Sequence, residues 1–138
     1  MISIIIGNKG SGKTKRLIDL VNKAVETSNG NVVCVENEPK LTYDISSKAR
    51  LLETSTYKIS GVKAFYGFLS GICAGNYDVT DILVDATFKI IGRDYSELPQ
   101  FFSMLKDLSE ASKVNFVFTI SCDESDLPTE IFQYVEKL

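Results

Sequence analysis

The residues with the clearest chemical potential lie near the N-terminus, where a glycine-rich segment ends in a lysine and a threonine. Residues 7–14 read G-N-K-G-S-G-K-T and fit the pattern G-x-x-x-x-G-K-[ST]. Glycines let a bare backbone wrap around an anion, and its N–H groups then point inward at the start of a helix. The Lys13 ammonium can reach phosphate oxygens, and the Thr14 hydroxyl can ligate Mg²⁺. We expect the phosphate contacts to come from Gly7, Asn8, Lys9, Gly10, Ser11, Gly12, Lys13, Thr14 and Lys15.

A carboxylate at the end of an apolar run offers a second oxygen ligand for such a metal ion. The run Ile82-Leu83-Val84 leads directly into Asp85. A carboxylate in this position can hold Mg²⁺ through a water molecule, opposite Thr14. Asp81, at the start of the same run, is expected to lie at the other end of the sheet in a structural role. The sequence therefore predicts a metal site formed by Thr14 and Asp85.

Alternating strands and helices must position these residues. Short runs rich in β-branched residues predict strands, and one-sided apolar spacing predicts helices. Strands separated by helices favour parallel pairing through right-handed crossovers. We predict an α/β fold, a three-layer α/β/α sandwich with a mostly parallel sheet of at least four strands, in one domain covering residues 1–138. The predicted strands are 2–6, 32–35, 50–53, 81–85 and 114–120, and the predicted helices are 13–28, 61–75, 95 or 98–112 and 129–137.

Composition limits the remaining chemistry. The chain has 138 residues, a net charge of −3 and no histidine, which excludes Ser–His–Asp catalysis and histidine-ligated zinc. An acidic balance disfavours nucleic acid as a partner, although a local basic patch is compatible with it. Three widely spaced cysteines are typical of a reduced, cytoplasmic protein, and the apolar N-terminal run is too short for membrane insertion. Four aromatic residues at helical spacing are predicted to be core rather than a base-stacking surface: Phe65, Phe68, Phe101 and Phe102.

The glycine-rich loop and the strand ending in Asp85 resemble the Walker A and Walker B motifs of P-loop NTPases. The resemblance covers essentially the whole chain and is to the additional-strand, RecA-like class. It implies that the strand at 114–120 lies between the two motif strands and that Thr119 or Ser121, at its tip, senses the γ-phosphate. It also implies ATP and Mg²⁺ as cofactors. No N-K-x-D guanine signature is present, so ATP is the default nucleotide.

The chain departs from that class at the catalytic position. The class usually has glutamate directly after the Walker B aspartate, whereas Ala86 follows Asp85 here. RecA-like enzymes instead carry a glutamate just after the second strand, and Glu38 first and Glu36 second are the similar residues in this chain. They are candidates to orient the attacking water beside Lys13. The alternative is that both glutamates merely begin a solvated loop.

Several functions stay open on this basis. An arginine finger could come from Arg93, Arg50 or Arg16, or from another subunit. The favoured hypothesis is a small ATPase that hydrolyses the β–γ phosphoanhydride. The missing glutamate after Asp85 motivates an alternative, a nucleotide-dependent switch with little intrinsic hydrolysis, and a small-molecule kinase is a third possibility. Beyond the nucleotide, an unknown protein partner or self-association is compatible with each of them.

Overall fold

A six-stranded parallel sheet forms the centre of the fold in the computed structural model, which describes residues 1–138. Every pairing between neighbouring strands is parallel. The strand order is β3-β2-β4-β5-β1-β6. The strands are β1 (Ile2–Gly7), β2 (Asn31–Glu36), β3 (Arg50–Glu53), β4 (Val79–Val84), β5 (Asn115–Ser121) and β6 (Glu136–Lys137).

Four α-helices cover this sheet. The two longest have 15 residues each, and no helix is sufficiently long and apolar to cross a membrane. Three short 3₁₀ helices follow the ends of other elements, at Tyr95–Glu97, Glu124–Asp126 and Thr129–Gln133. The α-helices are α1 (Lys13–Thr27), α2 (Val62–Gly75), α3 (Thr87–Ile91) and α4 (Leu98–Ser112).

The helices lie on both faces of the sheet, which confirms the predicted three-layer α/β/α architecture. Helices α2, α3 and α4 pack on one face around the larger hydrophobic cluster of 25 buried residues. Helix α1 and the segment 41–49 pack on the other face. Successive side chains of a strand point to opposite faces of the sheet. In β2, Val33 and Val35 therefore belong to the first cluster, and Val32 and Cys34 belong to the second. A strand buried on both faces reads as the continuous apolar run seen in the sequence.

The strand order that the resemblance implied is also observed, because β5 lies between β1 and β4. The aromatic side chains predicted as core behave accordingly. Phe65, Phe101 and Phe102 are fully buried, and Phe68 is half-buried against the same cluster. Their rings contact one another, and Phe101 and Phe102 also contact Phe118 of β5, so these side chains form part of the core.

The predicted C-terminal helix over 129–137 is wrong. Residues Thr129–Gln133 form only a 3₁₀ turn, and Glu136–Lys137 then pair with β1 as strand β6. The Leu138 N–H also donates to the Ile4 carbonyl at 2.9 Å. The backbone groups on the outer edge of β1 need partners, and the end of the chain supplies them. Helix α3 was not predicted, because five residues are too few for helical periodicity to show.

The three cysteines are buried and unpaired; the apolar surroundings of Cys34 and Cys73 in the sequence predicted core positions for these two. Burial raises the pKa of the Cys34 thiol to about 12, and burial also raises the pKa values of Cys73 and Cys122. Because the thiolate is the reactive form of cysteine, these thiols are packing residues at neutral pH.

Candidate functional site

The parallel sheet brings the predicted site residues to one edge, since the carboxyl ends of β1, β2, β4 and β5 meet there. A cleft of about 350 Å³ opens along this edge, and only two of its 15 lining residues are apolar. The sensor candidates Thr119 and Ser121 line it too. The predicted site residues in its wall are Lys9, Gly10, Lys13, Thr14, Glu36, Glu38 and Asp85.

The loop between β1 and α1 has a backbone that side chains would prevent. Gly10 and Gly12 have φ angles of +85° and +88°, in the left-handed region that favours glycine. A Cβ at Gly7 would collide with the Ser11 side chain, because the loop folds back over the end of β1. The Ser11 N–H donates to the Asn8 carbonyl at 3.1 Å and closes the turn. The glycine spacing is therefore a local requirement of this loop.

Several backbone N–H groups of the loop have no acceptor within the protein. The amides of Gly10, Gly12, Lys13 and Thr14 donate to no other atom of the chain, and the first hydrogen bond of α1 runs from Arg16 N–H to the Gly12 carbonyl. The first turn of α1 contains no acidic residue. This combination leaves the positive end of the helix open to an anion. Lys15 lies exposed on the same turn and outside the cleft wall.

Lys13 is a buried cation with only neutral partners. Lys13 as a whole is 8% exposed. Its Nζ donates to the Asn8 carbonyl at 3.0 Å and to the Ser11 hydroxyl at 3.4 Å. The only ion pair in the structure, Lys137–Glu124, lies elsewhere. A buried charge without a counter-charge is unfavourable, so an anion at this position would stabilise the site.

Asp85 and two threonines bring hard oxygen atoms together beside the loop. The Thr14 hydroxyl lies 3.2 Å from both carboxylate oxygens of Asp85. The Thr119 hydroxyl donates to Asp85 Oδ1 at 2.8 Å and accepts from the Ala86 N–H at 2.7 Å. Nowhere do three or more acidic or thiol side chains converge as a metal cage. Thr14 and Asp85 fit Mg²⁺, which takes few protein oxygens and fills its shell with phosphate and water.

The two candidate glutamates occupy different environments. Glu36 is 3% exposed, and its carboxylate accepts backbone N–H groups from Lys40 at 2.9 Å and Leu41 at 3.4 Å. Burial raises the pKa of Glu36 above its usual value, against the lowering effect of those two hydrogen bonds. Glu38 is exposed in the cleft wall and its carboxylate accepts no hydrogen bond. Glu36 thus tethers the loop that carries Glu38.

The raised pKa of Glu36 predicts a pH-dependent difference between wild type and Glu36→Gln. The folded state holds the Glu36 proton more tightly than the unfolded state, so wild-type stability from this group is full at low pH. It is lost as pH rises from about 4.3, the ordinary glutamate value, through the folded pKa. We expect the free energy of unfolding of wild type to fall relative to Glu36→Gln over this range, measured by urea unfolding from pH 4 to 8. Parallel pH profiles would contradict it.

Of the three arginine candidates, one lies in the cleft. Arg93 lines the wall, where its Nη1 donates to the Ser121 carbonyl at 2.9 Å. Its guanidinium also lies 5.2 Å from the centre of the Phe88 ring. Arg50 is on the edge strand β3, in a separate groove, and Arg16 is exposed on α1 outside the cleft. Arg93 is therefore the candidate that the fold brings close to the phosphate loop.

Sequence reasoning missed two cationic residues of this site. Lys40 and Lys89 both line the cleft, although they are far apart in the chain. Neither belongs to the phosphate-loop pattern, and Lys89 interrupts an apolar run without any motif around it. Each lysine lies within four residues of a candidate site residue, Glu38 or Asp85. A single lysine in such a position is just as typical of an ordinary solvent-exposed surface.

No protein-family model matches this chain, and no curated protein sequence matches it. The resemblance to P-loop NTPases therefore remains a prediction from the residues of the site itself. The residues on which this prediction is based are the loop at 7–14 and the Thr14–Asp85 pair.

Proposed function

We propose that this chain is a P-loop protein that binds ATP with Mg²⁺ in the cleft at the carboxyl edge of the sheet. One observation carries the proposal: the Lys13 ammonium donates only to neutral oxygens and lies in the cleft wall beside a loop whose amides are unpaired. An anion with several oxygens would satisfy both sets of donors at once. The cleft wall is mostly polar, which suits a phosphate chain better than a purine base.

The metal ion would be held by Thr14 and Asp85, whose oxygens converge beside the loop. When bound, Mg²⁺ would neutralise charge on the phosphate oxygens and orient the chain. Thr119 would position the Asp85 carboxylate, because its hydroxyl donates to one carboxylate oxygen while accepting the next backbone N–H. The carboxylate would then face Thr14 in a defined rotamer.

Hydrolysis of the β–γ phosphoanhydride is the reaction that this arrangement supports best. A water oxygen would attack the γ-phosphorus, and the bond to the β–γ bridging oxygen would break to release ADP and phosphate. Glu38 is our candidate to orient that water, since it is exposed in the cleft and its carboxylate is free. Glu36 is less suited, because backbone N–H groups already occupy its carboxylate. Arg93 could stabilise charge on the transferring phosphoryl group.

A nucleotide-dependent switch is the second candidate function. Ala86 occupies the position after Asp85, so no carboxylate follows the metal ligand directly. Ala86 also has a φ of +52°, an uncommon conformation for a residue with a Cβ, at the junction between the metal site and α3. Bound nucleotide could therefore be read out through α3 with little hydrolysis. A protein partner or a second copy would then receive the signal.

We include a cytoplasmic location in the proposal. The three cysteines are buried and form no disulfide, a pattern that is typical of the reducing cytosol rather than of an oxidising compartment. ATP and Mg²⁺ are both abundant in such a compartment.

The proposal predicts strong stabilisation by nucleotide. With ATP and Mg²⁺ at about 100 times the dissociation constant, we expect the free energy of unfolding to rise by about 2.7 kcal/mol. Thermal unfolding with ATP, ADP or GTP, each with and without Mg²⁺, measures this effect. Phosphate release in the same samples separates an ATPase from a switch. A folded protein whose midpoint is unchanged by all three nucleotides would overturn the proposal.

A further inference from the structure

Three lysines form a cationic group in the cleft wall, and two of them, Lys40 and Lys89, lie outside the predicted phosphate loop. Lys9, Lys40 and Lys89 all line the cleft, and none of them forms an ion pair. The charged groups that most affect the Lys89 ammonium are Lys40, Glu38 and Lys9. The whole chain carries a net charge of −3, so this local concentration of positive charge runs against the overall balance.

Packing determines where Lys89 points. It lies in α3, and its helical neighbours Thr87, Phe88, Ile90 and Ile91 are all buried. The Ile90 carbonyl additionally accepts the Gly61 N–H at 2.9 Å, which joins α3 to the start of α2. Lys89 is therefore the only exposed residue of a helix whose other side chains are held in the core, and its ammonium is left to the cleft.

The buried Glu36 carboxylate fixes the position of the Lys40 backbone. The Lys40 N–H donates to Glu36 Oε1 at 2.9 Å, and the next residue, Leu41, is buried at 4% exposure. These two contacts hold the backbone on either side of the Lys40 side chain, which itself is exposed. Two anchored segments thus present lysines to the same part of the cleft.

The two ammonium groups oppose each other electrostatically. Close contact with the Lys40 amine, and the repulsion of its positive charge, lower the pKa of Lys89 below its usual value. Glu38 acts in the opposite direction but does not form an ion pair with Lys89. Two cations held side by side are destabilising unless an anion lies between them, and a doubly charged anion compensates both.

We propose that Lys40 and Lys89, together with Lys9, form a second anion subsite for a phosphate-type dianion, a role that rests on the proposed nucleotide site beside it. Lys13 and the loop amides hold one part of the phosphate chain, and the three lysines hold another phosphate group across the cleft. That group is either the terminal phosphate of the same nucleotide or a separate phosphate-bearing ligand.

Titration calorimetry on three proteins tests the subsite: wild type, Lys40→Gln/Lys89→Gln, and the control Lys63→Gln/Lys106→Gln. The control removes two exposed lysines that lie outside the cleft, so all variants differ from wild type by the same charge. The ligands are Mg²⁺–ATP, Mg²⁺–ADP, and inorganic phosphate added to the Mg²⁺–ADP complex. Hydrogen bonds to charged groups predict a loss of about tenfold or more in affinity for the anion that uses the subsite.

The two sources of the anion give different results. If the terminal phosphate occupies the subsite, the double variant loses affinity for ATP while its affinity for ADP stays within about twofold of wild type. If a separate ligand occupies it, phosphate binds to the wild-type ADP complex and not to that of the double variant. Lys89→Arg should retain binding in both cases, because it keeps the positive charge.

The subsite is overturned if the double variant and the control match for every ligand. Failure of the proposed function is a separate result, in which wild type binds neither ATP nor ADP. In that event, titration of inorganic phosphate into the nucleotide-free protein tests whether the subsite exists. Binding that disappears in Lys40→Gln/Lys89→Gln supports it, and absence of binding to wild type overturns it.

Discussion

Lys13→Ala is expected to abolish turnover and to weaken nucleotide binding while leaving the nucleotide-free protein as stable as wild type or more stable. Lys13 is buried and its ammonium donates only to neutral oxygens, so its charge is not compensated within the chain. Removing such a charge relieves its desolvation penalty. In the bound state the same ammonium would contact phosphate oxygens through charge-assisted hydrogen bonds. Their loss should weaken nucleotide affinity about 100-fold or more.

The opposite signs of these two effects make the measurement informative. Urea unfolding of nucleotide-free protein gives the first, and the nucleotide-induced shift in thermal midpoint gives the second. Lys106→Ala is the matched control, because it removes the same charge from an exposed position on α4 outside the cleft. A Lys13→Ala protein that binds ATP as tightly as Lys106→Ala would show that the loop is not a phosphate site.

Asp85→Asn is expected to raise the Mg²⁺ concentration that nucleotide binding requires and to reduce turnover by about 10²–10³-fold. The amide retains one oxygen that can accept a hydrogen bond from Thr14 or Thr119, so the local packing should survive. It lacks the negative charge that attracts the metal ion. The affected quantity is therefore the Mg²⁺ concentration needed for half-maximal nucleotide binding, which should rise well beyond that of wild type.

Asp81→Asn is the natural control for this change, because Asp81 lies on the same strand. The Asp81 carboxylate accepts a hydrogen bond from the Thr80 hydroxyl at 2.8 Å. The residue lies opposite Asn115 at the beginning of β5, away from the cleft. The Mg²⁺ dependence of nucleotide binding should be the same in Asp81→Asn as in wild type. Equal Mg²⁺ dependence in Asp85→Asn and wild type would exclude Asp85 as the metal ligand.

Much of the fold was accessible from the sequence because its elements depend on local patterns. Strands β1, β2, β4 and β5 contain short apolar runs, and three of the helices have one apolar face, so both can be recognised in the sequence. The parts that escaped prediction have no such pattern. Strand β6 has only two residues and forms because the edge of β1 needs hydrogen-bond partners. Helix α3 is too short to be recognised, although it carries a residue of the cleft.

The same distinction applies to the candidate site. The loop at 7–14 could be recognised because its conformation depends on adjacent residues, whose glycines must adopt backbone angles that side chains oppose. The environments of Glu36 and Glu38 could not be separated in this way. The two residues are close in sequence and chemically identical, and only burial beneath the 37–41 loop distinguishes them.

An α/β chain with a glycine-rich loop after its first strand and an aspartate after a later strand could be predicted from the residue order, because both features depend on contiguous residues. The packing of distant segments determines that Thr14 meets Asp85, that backbone N–H groups occupy the Glu36 carboxylate, and that Lys40 and Lys89 line the same cleft. Those relations join segments distant in the chain. They are set by strand order and by which side chains the core can bury, and neither is encoded in any single stretch of residues.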